Sequence, residues 1–197
     1  MLINSPEIKD VKLVMLGSTT VGKTSIVTRL IRENFQSDTV STIGASYLSQ
    51  TINVNGIQVK LQIWDTGGSE RYRAMAPMYF HDADACLIVY DITSKNSFED
   101  VDNWLKELKE KGPAKVLVAL AGNKCDLEQL RCIKKEYAQE YCNKCNIRIF
   151  HETSALNGQN INQIFYDIAQ KMTMRGTAGR RSSVDITLPP QKKNTCC

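Results

Sequence analysis

No stretch of this 197-residue chain stays apolar for the ~18–20 residues that a helix needs to cross a bilayer. The first ten residues carry charges and Pro6 and have no apolar h-region, so a secretory signal is excluded and a cytosolic start is implied. A charge surplus over the body of the chain is also missing. Residues 1–172 hold 20 Lys+Arg and 20 Asp+Glu, so the uniform basicity that suggests nucleic-acid binding is absent. There are no internal repeats. Five of the seven cysteines (Cys86, Cys125, Cys132, Cys142, Cys145) are internal, an odd set without a signal peptide, which points to reduced thiols and not a disulfide framework. Cys142-x-x-Cys145 has the spacing of half a zinc site or of a redox pair. No second Cys/His pair with ligand spacing accompanies it, which favours simple packing.

What is present suits one domain with a proper core: 42% apolar and 23% charged residues. The net charge of +4 sits at one end. Beyond residue 172, Arg175, Arg180, Arg181, Lys192 and Lys193 face Asp185 alone. A basic tail that closes on Cys196 and Cys197 suggests an anionic membrane surface.

Apolar β-rich runs alternate with amphipathic helical stretches. Residues 11–16 read as a strand and 22–32 as a helix. Residues 46–54 and 57–64 read as two strands joined by Asn55-Gly56, a strong hairpin signal. Short apolar runs at 85–91 and 115–121 suit buried strands, and Phe98, Val101, Leu105 and Leu108 recur between them at helical spacing. A helix over about 134–143, a strand over 147–151 and a last helix marked by Ile161, Ile164, Phe165, Ile168 and Met172 complete the pattern. It predicts an α/β fold: a mostly parallel sheet with helices on both faces and one antiparallel edge strand, with ligands beyond the C-terminal ends of the strands. Periodicity stops after Met174. The boundary is drawn as a domain over 1–173 and a disordered tail over 174–197.

Gly17-Ser-Thr-Thr-Val-Gly22-Lys23-Thr24 matches G-x-x-x-x-G-K-[ST] between a strand and a helix. The glycines let successive N–H groups turn inward onto phosphate oxygens, and the helix N-terminus adds partial positive charge. Lys23 is placed to reach the β- and γ-phosphates, and Thr24 to give a hydroxyl to Mg²⁺. Asn123-Lys-Cys-Asp126 follows the strand at 115–121. A carboxylate at Asp126 can accept from guanine N1–H and the exocyclic amine, a donor pair that adenine lacks, and the stem of Lys124 can lie along the base. Asp65 ends the strand 57–64, where an acid holding Mg²⁺ through water is expected. Gly67 and Gly68 follow, and Gly68 can offer its N–H to a γ-phosphate.

Together with Thr42-Ile-Gly44, Trp64-Asp-Thr-Gly-Gly-Ser-Glu70 and Glu152-Thr-Ser-Ala155, these motifs resemble the Ras-like small GTPases. The stretches 43–47, 60–65, 70–79 and Tyr90-Asp-Ile-Thr93 resemble the Rab branch, and Met75-Ala-Pro-Met-Tyr79 is most similar to Rabs of early endosomes. The resemblance covers about 9–172 plus the terminal Cys-Cys. It implies a P-loop G domain of about six strands that binds GTP or GDP with Mg²⁺. The implied phosphate-binding segment is Gly17, Ser18, Thr19, Thr20, Val21, Gly22, Lys23, Thr24 and Ser25. Phe35 would stack on guanine, with Asn123, Lys124, Asp126, Ser154, Ala155 and Leu156 around the base. Thr24, Thr42 and Asp65 would serve the metal. Thr42 and Gly68 would order two switches (about 36–47 and 67–78) in the GTP state only. Lys23, Gly68 and Ser69 would take part in hydrolysis. Tyr47, Trp64 and Tyr79 resemble the aromatic triad that shows nucleotide state to effectors, although ordinary core packing explains such aromatics equally well. Geranylgeranyl groups on Cys196 and Cys197 are implied. So are an exchange factor, a TBC-type activating protein, a GDP-dissociation inhibitor, a Rab escort protein, state-specific effectors, and a place on the cytoplasmic face of endomembranes with a cytosolic GDP-bound pool.

The chain departs from that pattern at several positions. Ser69 stands where the family usually has Gln, Gly67 where it has Ala, and Leu156 where Lys is frequent. Thr19 and Thr20 fill loop positions often occupied by small residues. Ser69 predicts slow intrinsic hydrolysis and leaves open a largely GTP-locked membrane scaffold. A small-molecule phosphotransferase is disfavoured by the base motif and the missing acceptor lid.

Overall fold

The computed structural model describes residues 8–32, 42–68 and 74–175. Six strands form one sheet: β1 (Ile8–Leu16), β2 (Ala45–Val54), β3 (Ile57–Thr66), β4 (Ala85–Asp91), β5 (Leu117–Asn123) and β6 (Ile149–Glu152). Their order is β2-β3-β1-β4-β5-β6. The β2–β3 hairpin is antiparallel and every other pairing is parallel, which confirms the expected α/β architecture with one antiparallel edge.

Side-chain alternation along each central strand divides the core into two layers. From β4, Ala85, Leu87 and Val89 face helices α1 (Lys23–Arg32) and α5 (Ile161–Met174), where Ile26, Leu30, Ile164, Phe165 and Ile168 close the layer. Cys86, Ile88 and Tyr90 face the other way, onto α2 (Ala76–Phe80), α3 (Lys95–Lys111) and α4 (Lys135–Lys144). There Phe98 meets Tyr90 edge-on, with ring centroids 4.9 Å apart. All seven residues of β4 are buried, which is why this strand reads as a continuous apolar run.

Several boundaries differ from the sequence expectation. The fifth strand is Leu117–Asn123, not 115–121, because the chain at Val116 is still turning: its N–H donates to Pro113 O. The third strand runs on past Trp64, so Asp65 lies within it, not after it. Helix α3 buries Trp104 beside Phe98, Val101 and Leu108, while the expected Leu105 is only half-buried. Cys142 packs in the α3–α4 layer, and burial pushes its thiol up to about 12; Cys145 is exposed just past the end of α4. The two cysteines of that pair therefore meet different environments.

Candidate functional site

A cleft of about 480 Å³ opens beyond the C-terminal ends of β1, β3 and β5, where β1 has a parallel neighbour on each side. It joins the three sequence motifs. At one end stand Thr19, Thr20, Gly22, Lys23, Thr24 and Ser25, with Thr42 and Gly68 beside them. At the other stand Asn123, Lys124, Asp126, Ala155 and Leu156.

Lys23 opens α1 and is almost fully buried. Its Nζ donates to Gly17 O and to Ser18 O, both at 2.8 Å, so the loop that carries the lysine also aims it. Burial lowers its pKa to about 8, against the opposing pull of the Asp65 and Asp100 carboxylates. A cation held this deep has every electrostatic reason to accept an anionic partner.

Next to it, Thr24 Oγ1 donates to Asp65 Oδ2 at 2.6 Å and lies 2.9 Å from Thr42 Oγ1. Burial pushes the Asp65 carboxyl above its ordinary pKa, a shift resisted by hydrogen bonds from Thr24 and Thr42 and by the charge of Lys23. The second carboxylate oxygen, Oδ1, is buried and takes no hydrogen bond among the described residues. Two hydroxyls and a carboxylate with one orphaned oxygen form an all-oxygen donor set, which fits a hard divalent cation such as Mg²⁺.

Asn123, which lines the base end of the cleft, also braces the loops around it. Its Nδ2 donates to Val21 O at 2.9 Å and its Oδ1 accepts from Thr153 Oγ1 at 3.2 Å, so it ties the phosphate loop to the loop after β6. Gly22 makes room for it: φ is +94° there, and a Cβ would stand 2.4 Å from Asn123 Nδ2. Lys124 has φ +65° and pairs with Asp91 at 2.6 Å, which holds its stem in place. Ser154 Oγ donates to Asp126 Oδ1 and accepts from Asn157 N–H, leaving the other Asp126 oxygen for the cleft. Beneath the two base-side loops, Arg131 lies between two carboxylates. Its Nη1 and Nη2 meet Glu152 Oε1 and Oε2 at 2.6 and 3.0 Å, and its Nε and Nη2 meet Glu128 at 2.8 and 2.6 Å.

The aromatic triad is contiguous. Tyr47 and Trp64 are register partners on β2 and β3 with ring centroids 5.6 Å apart, and Trp64 lies 5.8 Å from Tyr79 on α2. Trp64 and Tyr79 are half-buried against the layer under α2 and α3, whereas Tyr47 is 53% exposed. Phe35, Ser69, Cys196 and Cys197 lie outside the described residues. Sequence reading missed Asp91, Asp100, Arg131, Thr153 and Leu127 as parts of this site; of these, Asp91 and Thr153 stood in stretches already singled out.

A nucleotide-sized cleft built on a Gly-rich loop, a lysine buried at a helix start and a hydroxyl–carboxylate cluster defines a P-loop nucleotide-binding protein. The Ras family model matches residues 12–174, and the chain belongs to that family. It is 44% identical, over 98% of its own length and 98% of the relative's, to "Ras-related protein Rab-5A" of Dictyostelium discoideum, which sets it in the Rab branch of small GTPases.

Proposed function

We propose that this chain is a Rab-type switch that binds GTP or GDP with Mg²⁺, hydrolyses GTP to GDP and phosphate slowly on its own, and recruits effectors to endosomal membranes while GTP is bound. The observation that carries this reading is the convergence in one cleft of a phosphate-facing lysine, a metal-type oxygen cluster and a guanine-type carboxylate. Similarity to Rab-5A supports the traffic role.

In this reading Lys23 neutralises the β- and γ-phosphates, and its two loop carbonyls fix its direction. Thr24, Thr42 and Asp65 hold Mg²⁺, which when bound screens the phosphate charge that builds during transfer. Thr42 and the N–H of Gly68 reach the γ-phosphate only in the GTP state and so report it. Asp126 selects guanine, Ser154 steadies it, and Ala155 offers an N–H to the base O6. Phe35 stacks on the base, while Leu156 gives the cleft an apolar wall where a lysine is usual. The Tyr47–Trp64–Tyr79 face displays the state to effectors. Cys196 and Cys197 carry geranylgeranyl groups, which implies delivery by an escort protein and extraction by a GDP-dissociation inhibitor; an exchange factor and a TBC-type activating protein set the cycle.

Ser69 favours a second reading, a largely GTP-locked scaffold. A glutamine would span far enough to hold the attacking water over the γ-phosphate, whereas a serine hydroxyl sits one carbon from the backbone. Losing one positioning contact of about 1.4 kcal/mol slows the step roughly tenfold. The test is nucleotide analysis of purified protein, followed by single-turnover hydrolysis of wild type and Ser69→Gln. Bound GDP or GTP and a several-fold rate gain in Ser69→Gln are expected. Protein free of guanine nucleotide and unable to bind it would sink the switch reading. An unchanged rate would mean that another group positions the water.

A further inference from the structure

Ser18 belongs to a phosphate loop that needs only its backbone, yet its side chain is engaged. Its Oγ donates to Asp100 Oδ2 at 2.8 Å, across 82 residues of sequence. Asp100 stands in the second turn of α3, outside every nucleotide motif. Its other oxygen, Oδ1, accepts from Asn103 Nδ2 at 3.0 Å, which orients the carboxylate. The carbonyl of the same Ser18 accepts from Lys23 Nζ at 2.8 Å. The Ser18–Thr19 peptide is therefore held from α3 on one side and holds Lys23 on the other.

Gly68 rests on that peptide. A Cβ on Gly68 would stand 2.4 Å from Ser18 C and 2.5 Å from both Ser18 O and Thr19 N, so the second switch starts in direct contact with the unit that Asp100 anchors. We propose that the Ser18–Asp100 hydrogen bond is a positioning pair through which α3 fixes the phosphate loop and sets the preference for GTP over GDP. This rests on the switch reading above. With GDP, slack in the Ser18–Thr19 peptide loosens the contacts of Lys23 and of the loop N–H groups with the β-phosphate. With GTP it loosens the reach of Lys23 to both phosphates and also the seat from which Gly68 meets the γ-phosphate. The pair therefore acts on GTP more than on GDP.

The test uses full-length protein in Mg²⁺ and measures the release of fluorescent GDP and of a non-hydrolysable GTP analogue. Wild type is compared with Ser18→Ala, Asp100→Ala, their double variant and Asp100→Asn. A hydrogen bond to a charged group is worth enough that each alanine variant should release the GTP analogue about 3–10-fold faster, with GDP release changed by less than about twofold. The double variant should be no faster than the faster single one, because both remove the same bond. Asp100→Asn keeps an acceptor and should fall between wild type and Asp100→Ala. Equal acceleration for both nucleotides would reduce the pair to a general structural contact and overturn the inference, as would additive effects in the double variant. Slower analogue release in Asp100→Asn would show that the carboxylate acts by repelling phosphate, which also overturns it. If Asp100→Ala does not fold, Ser18→Ala decides alone: a GTP-selective change supports the pair and no change refutes it. Wild type that binds neither nucleotide would refute the switch reading instead.

Discussion

Asp65 sets function against stability. Its buried carboxylate has an oxygen with no hydrogen-bond partner among the described residues, and burial makes the folded state disfavour the ionised form. A raised acid pKa means that the native state holds its proton longer than the unfolded chain. The penalty is thus present at neutral pH and relieved as pH falls through the carboxylate range. Asp65→Asn keeps an acceptor for Thr24 without the charge. In chelator and without nucleotide it should be more stable than wild type at pH 7, with the gap closing on acidification. It should also bind GTP more weakly in Mg²⁺. Thermal unfolding across pH together with nucleotide titration checks both halves. At the base end, Asp126→Asn exchanges an acceptor for a donor opposite guanine N1–H. GTP affinity should fall about a hundredfold or more while xanthosine triphosphate gains, measured by competition binding. Unchanged GTP affinity would remove Asp126 from base recognition.

At the scale of elements, the base half of the cleft is two loops held together from below. One follows β5 and runs into the 3₁₀ turn Glu128–Leu130; the other follows β6. Arg131 joins them by pairing with both Glu128 and Glu152, and Cys125 N–H adds a bond to Thr153 O at 3.0 Å. Glu128 is exposed and its pair contributes little, but Glu152 is 8% exposed and would be left as a buried lone charge. Arg131→Gln should therefore cost about 3 kcal/mol in urea unfolding. It should also speed the release of GDP and GTP alike, since the loops that it joins carry Asp126 and Ser154. A stability loss without faster release would limit Arg131 to a structural role.

Across the whole molecule, the cleft and the last described residue, Arg175, lie at opposite ends of the sheet. The cleft lies beyond Leu16, at the C-terminal end of β1. The end of α5 is tied to the other end: Lys9 Nζ donates to the carbonyls of Met172 and Arg175, and Arg175 Nη1 donates to Lys115 O at 2.7 Å. Seven steps of β1, from Lys9 to Leu16, separate these points by about 23 Å. The last described residue, Arg175, therefore leaves from the end remote from the nucleotide. The proposed lipid anchor at Cys196 and Cys197 follows from that point in the sequence. One lipid chain binds marginally and two bind stably. Cys196→Ser combined with Cys197→Ser should make the protein fully cytosolic in cell fractionation without loss of GTP binding. Membrane retention of this double variant would refute lipid anchoring.

The motifs were legible because phosphate, metal and base chemistry each require particular residues within a few positions of one another. Gly22-Lys23-Thr24 and Asn123–Asp126 announce themselves without a fold, and the alternation of β3 and the unbroken apolar run of β4 gave the sheet its outline. Strand ends were less legible, since where a strand stops depends on a neighbour. Asn123 belongs to β5 because it lies opposite Asp91 on β4, and Gly122 lies opposite Glu152 on β6. Side-chain roles that cross the sheet were not legible at all. Asn123 reaches the phosphate loop over 102 residues, and Ser18 reaches Asp100 over 82. Nothing in a local pattern distinguishes these from surface polar residues. By itself the sequence determined which ligand the protein is built to hold, because that depends on donor and acceptor types carried in short segments. The tertiary structure alone decided which side chains hold the loops in place, because a hydrogen bond exists only once packing has brought its two ends within 3 Å.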